Sequence, residues 1–197
     1  IMTNLATPVS GAGIAAIMAR FGDAAMAANA FIDRLVPLAF GVLFALSGAV
    51  GPILGQNWGA RRFDRMRKVL TDSAMVSAVY VLVVWALLVI GGGSLAWVFN
   101  ATGITAEIIV IFTWVSGPLW LGLGALYVAN AAFNNLGFPL YATAFNWSRA
   151  TLGALPLAWA GAALDGPRGL LIGVAIGALV FGAAALVTAY RAIGKLE

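Results

Sequence analysis

Apolar residues dominate this chain in long runs, and short polar or glycine-rich interruptions divide them into six stretches. These cover approximately residues 4–19, 24–54, 69–90, 104–133, 139–164 and 169–190. A bilayer core about 30 Å thick needs about 20 apolar residues in a helix rising about 1.5 Å per residue. The pattern therefore predicts an all-α integral membrane protein with six transmembrane helices. The interruptions are Arg20-Phe-Gly-Asp23, the polar block 55–68, the segment from Gly91-Gly-Gly93 to Gly103, Asn134–Pro139, and Asp165-Gly-Pro-Arg168. Pro8, Pro37, Pro118 and Pro156 fall in four different stretches, and each removes a backbone donor and permits bending. The second stretch is longer than a span requires, so a kink at Pro37 or an interfacial extension is expected.

Composition agrees with the pattern. Of 197 residues, 62% are hydrophobic and 9% charged, with a mean hydropathy of +0.99. A soluble domain carries about 25% charged residues, enough to cover its surface. The chain has no histidine and no cysteine. That excludes imidazole or thiolate metal sites, disulfides, cysteine nucleophiles and Ser–His–Asp triads. No paired intramembrane carboxylates or nucleophile–base pair stands out either, so neither an enzyme nor a bound metal or cofactor is expected. The net charge of +4 does not point to nucleic acid, because five of the eleven basic residues lie together at 61–68. Such clustering fits membrane orientation instead. With six spans, that block and the C-terminal tail share one side, which holds Arg61, Arg62, Arg65, Arg67, Lys68, Arg191 and Lys195. The other side holds Arg20 and Arg168. This seven-to-two split places the C-terminus in the cytoplasm and the protein in the cytoplasmic membrane, among its lipids.

An ionisable side chain within hydrocarbon costs at least about 2.5–3.5 kcal/mol, so it faces a cavity or a partner. Asp33 and Arg34 lie well inside the second stretch and Arg149 inside the fifth. Asp33 is the candidate ion-coupling residue; its alternative is a packing role near the end of a tilted helix. Arg34 and Arg149 are cavity or packing candidates, Arg149 favouring a pairing with Asp33 or with freed backbone carbonyls. The amides Asn29, Asn130, Asn134, Asn135 and Asn146 would either line a cavity or join helices. Gly169, Gly173 and Gly177 recur every four residues, a spacing that permits close helix approach.

Two segments carry a family resemblance. Ala28-Asn-Ala-Phe-Ile-Asp-Arg34 followed by Pro52-Ile-Leu-Gly-Gln-Asn-Trp-Gly-Ala60 resembles the multidrug and toxic compound extrusion (MATE) transporters, with Gln56, Asn57 and Gly59 the most specific positions. Ala132-Phe-Asn-Asn-Leu-Gly-Phe-Pro139 is similar to a later loop of the same family. The resemblance implies twelve helices in two six-helix lobes, and this chain matches the C-terminal lobe, with the N-terminal lobe absent. It further implies an antiporter coupled to H⁺ or Na⁺, without other cofactors, that exports small amphipathic or cationic drugs by alternating access. Sodium-coupled members carry a glutamate on the first helix of this lobe and an aspartate on the fourth; neither is present here. Coupling would then fall to Asp33 or to the missing lobe. The alternatives are a flippase for lipid-linked saccharides and the membrane subunit of an ATP-driven transporter docked through 61–68.

Overall fold

The computed structural model describes residues 2–196, with side chains from Leu5 onward; Ile1 and Glu197 lie outside the described residues. Helix α1 spans Met2–Met18 and ends in a short tightened turn, Ala19–Phe21. Helices α2 (Asp23–Gly59), α3 (Phe63–Val98) and α4 (Gly103–Asn135) follow. The remaining helical run, Pro139–Gly194, is 56 residues long. These last four are long and apolar enough to cross a membrane, and a shorter apolar helix, Leu5–Phe21, precedes them.

The 56-residue run is a hairpin. Its helical geometry fails at Asp165 (φ −144°, ψ 33°) and Gly166 (φ 55°, ψ −141°). Positive φ suits glycine, and Pro167 then starts the next helix with its angle preset. On either side of the break, Gly161 faces the backbone of Gly169, Gly173 that of Leu157, and Gly177 that of Gly153. Numbers that rise along one arm while falling along the other mean antiparallel arms, here labelled α5 (139–164) and α6 (167–194). The four-residue glycine spacing thus lies at a helix–helix contact. A Cβ at Gly173 would overlap the Leu157 carbonyl. Gly182 and Gly122 bring α6 equally close to α4.

Helix α4 occupies the middle, packing against α2, α3 and α6. Its inner face buries Phe112, Trp120, Leu126 and Phe133. Hydroxyls join neighbouring helices through backbone carbonyls: Tyr80 donates to Ala39 (2.8 Å), Thr105 to Ala24 (2.9 Å) and Ser47 to Tyr127 (3.2 Å). In hydrocarbon such bonds average about 0.6 kcal/mol each.

Two boundaries differ from the sequence pattern. The block 55–68, expected as a loop, is mostly helical: α2 continues to Gly59 and α3 begins at Phe63. Arginine and lysine are good helix formers, so charge marks the end of an apolar window without ending a helix. The reversal needs only 60–62, where Arg61 takes φ 51° and Arg62 N–H donates to the Asn57 carbonyl (2.8 Å). That six-to-one bond closes the helix end. Likewise, Gly91-Gly-Gly93 does not end the third helix, which runs to Val98. Unpaired backbone groups cost several kcal/mol in lipid, which outweighs the weak helix propensity of glycine.

Candidate functional site

Asp33 and Arg149, two of the three charges singled out deep in the apolar stretches, line one cavity. It measures about 260 Å³ and is walled by residues of α1, α2, α4, α5 and α6. Helix α2 contributes Asn29 and Asp33, four residues apart and therefore on one face. The Asn29 amide donates to Asp33 Oδ2 at 3.2 Å. Asp33 itself is exposed, and its Oδ1 receives no bond from a described residue. Neighbouring helical residues point about 100° apart, and Arg34 lines a different cavity of about 560 Å³ between α2, the linker 99–102 and the start of α4. That larger space contains one ionisable side chain, Arg34.

Arg149 enters from a distorted part of α5. Residues Arg149–Ala154 form a π-helical segment between Pro139–Ser148 and Leu155. Pro156 explains it: the residue lacks an N–H for the carbonyl four positions back, and its ring crowds that carbonyl. Widening the preceding turn relieves the clash and rotates the side chains before it. Arg149 is 7% exposed, and among the described residues no carboxylate pairs with it. Of the two partners considered for Arg149, Asp33 is therefore not engaged, although both residues line the same space. Instead, Tyr127 of α4 lies close enough to Arg149 to interact electrostatically.

Three residues lining this cavity carry a buried polar atom without a hydrogen-bond partner among the described residues: Ser10 Oγ, Trp120 Nε1 and Arg149 Nε. Sequence reasoning passed over Ser10, Trp120 and Tyr127. A serine and two aromatic residues in membrane helices carry no signal until the helix faces that meet are known.

The remaining candidates lie elsewhere. Asn130, Asn134 and Asn146 do not line the cavity. Asn146 is buried and donates to the Ala142 carbonyl (2.8 Å), spending its amide on its own helix. Asn135 does the same with Ala131 (2.8 Å) while packing against Gly51. Asn134 is exposed, and Asn130 is half-buried with an unpartnered Oδ1. Gln56, Asn57 and Gly59 build the last turn of α2, where the Asn57 amide donates to the Ile53 carbonyl (2.8 Å).

Comparison with known proteins agrees with this architecture. The MatE family model matches residues 1–160. An uncharacterised 21 kDa protein of Pseudomonas savastanoi is 36% identical over 90% of this chain and 58% of its own length. A FAD transporter of Shewanella oneidensis is 29% identical over 96% of the chain and 42% of its own. The crystal structure of the Vibrio cholerae MATE transporter VcmN in its bent form superposes with a TM-score of 0.86 at 25% identity. That match covers 98% of this chain and 44% of the transporter. The chain thus spans about half the length of the relatives it matches. With helices of membrane-spanning length and a polar cavity among them, it is a multi-pass membrane protein belonging to the MatE family of transporters.

Proposed function

We propose that the chain is one lobe of an ion-coupled antiporter that exports amphipathic organic compounds across the cytoplasmic membrane. In this reading the polypeptide crosses the bilayer six times, with its basic block and C-terminus on the cytoplasmic side. Two such lobes rock about a central cavity, and H⁺ or Na⁺ binding shifts the balance between inward- and outward-facing states. Asp33 receives the ion, Asn29 orients its carboxylate, and the bend at Arg149–Ala154 accommodates movement of α5. The observation that carries the proposal is that Asp33 and Arg149 line one cavity among the helices without mutual pairing. A carboxylate not committed to an arginine remains available to a coupling ion. The flippase alternative needs a concentrated cationic surface for pyrophosphate, and it loses support because Arg34 and Arg149 face separate cavities.

The test is efflux from cells expressing the complete protein. Collapsing the H⁺ and Na⁺ gradients with ionophores, at maintained ATP, should stop export within the time needed for the gradients to dissipate. Export that continues under those conditions would instead favour an ATP-driven transporter.

A further inference from the structure

Unpartnered polar side chains among the residues lining the cavity suggest what part of a substrate binds there. Ser10 Oγ, Trp120 Nε1 and Arg149 Nε come from α1, α4 and α5, belong to residues that are 3%, 4% and 7% exposed, and have no hydrogen-bond partner among the described residues. Indole and guanidinium nitrogens donate only, and neither can turn to accept. A buried donor left without a partner costs about 1–3 kcal/mol, and a charged one costs more. One such group is a packing compromise; three among the residues lining one cavity, one of them cationic, make that lining complementary to an acceptor. Among the described residues no carboxylate neutralises Arg149, and Asp33, which lines the same cavity, is bonded by Asn29. Beside the donors, Phe44, Phe112, Trp120 and Tyr127 supply an aromatic wall. Phe40 stacks on the Trp120 ring at 4.5 Å and 7°, fixing the direction of its N–H.

We infer that Ser10, Trp120 and Arg149 form a subsite for an anionic acceptor group, carboxylate or phosphate, carried by a planar aromatic substrate. This deepens the transporter reading and rests on it, since the cavity must open to a substrate. It also narrows the expected cargo, because a purely cationic compound leaves all three donors unsatisfied. Arg149 supplies the charge, while the serine and indole select for an acceptor geometry. A charge-assisted hydrogen bond in a dry site contributes about 1.5–3 kcal/mol, equivalent to about a 10- to 100-fold preference.

The experiment compares probes of one shape and different charge, binding to the complete protein in lipid nanodiscs without any ion gradient. The set is 2-naphthoate, 2-naphthyl phosphate, neutral 2-naphthamide and cationic 2-naphthylmethylammonium. At least one anion should bind about 10-fold or more tightly than the amide, and the stronger anion identifies the group. Arg149→Met should reduce that ratio to near one, and measurable amide binding by the variant reports that it is folded. Arg149→Lys should retain part of the preference by keeping the charge. A wild-type protein that binds anion and amide equally, or binds neither, overturns the inference. So does an Arg149→Met protein with an unchanged ratio. If gradient-driven export fails while the anion preference persists, the coupling reading falls and the subsite stands. If export persists without the preference, the reverse holds.

Discussion

Asp33→Asn in the complete protein should abolish gradient-driven export, by about 100-fold or more, while leaving the amount in the membrane unchanged. The substitution preserves shape and a hydrogen bond to Asn29 but removes the only carboxylate among the described residues that line the cavity. An ion can shift the two-state balance only by its differential affinity for the two states. Without a charged ligand that difference vanishes, and about 2.7 kcal/mol corresponds to the 100-fold loss. Asn29→Ala should have a smaller effect, because it removes an orienting donor and leaves the charge. Transport of a fluorescent substrate in energised vesicles measures both. Full export by well-expressed Asp33→Asn protein would remove Asp33 from the mechanism and transfer coupling to residues outside this chain.

The hairpin provides the second large effect. Gly173→Leu should prevent α5 and α6 from closing, since even a Cβ there overlaps the Leu157 carbonyl, and backbone cannot move aside as a side chain can. Overpacking commonly costs about 1–3 kcal/mol, and a leucine pushed against a backbone lies at or beyond the upper end. For a protein of this size, about 3 kcal/mol lowers the melting temperature by roughly 10 °C. Ile176→Leu, on the exposed side of the same helix, should change it little. Melting followed by size-exclusion of solubilised protein would show the contrast. A Gly173→Leu variant that melts with the wild type would mean that the two arms do not pack as described.

Much of this was legible in the sequence. Long apolar runs gave the membrane helices, and the expense of burying charge marked Asp33 and Arg149 without knowledge of their neighbours. The glycine spacing in α6 anticipated a close contact, although it did not name α5 as the partner. Other features needed the third dimension. Arg65, Arg67 and Lys68 looked like loop because hydropathy marks apolar runs, whereas the helix continues past the apolar run on its own hydrogen bonds. Pro156 signalled a bend, but a widened turn at Arg149–Ala154 depends on how the strain is relieved. The amides at 130, 134 and 146 looked as suitable for a cavity as Asn29. Only their rotation about the helix axes separates Asn29, which reaches Asp33, from Asn146, which bonds its own backbone. The donors Ser10, Trp120 and Arg149 come from three helices far apart in sequence, so no motif spacing could reveal them.

The central claim is that this chain supplies one wall of a cavity whose other wall belongs to a second lobe. The most direct measurement is efflux of the same fluorescent substrate from cells expressing residues 1–197 alone, the second lobe alone, or both as separate chains. Polar groups such as Asp33 stand exposed on the isolated lobe, and lipid cannot satisfy them. Efflux that depends on the ion gradient should therefore appear only when both halves are present. Robust, gradient-dependent efflux from residues 1–197 alone would contradict the two-lobe account and make the transporter a homodimer of this chain.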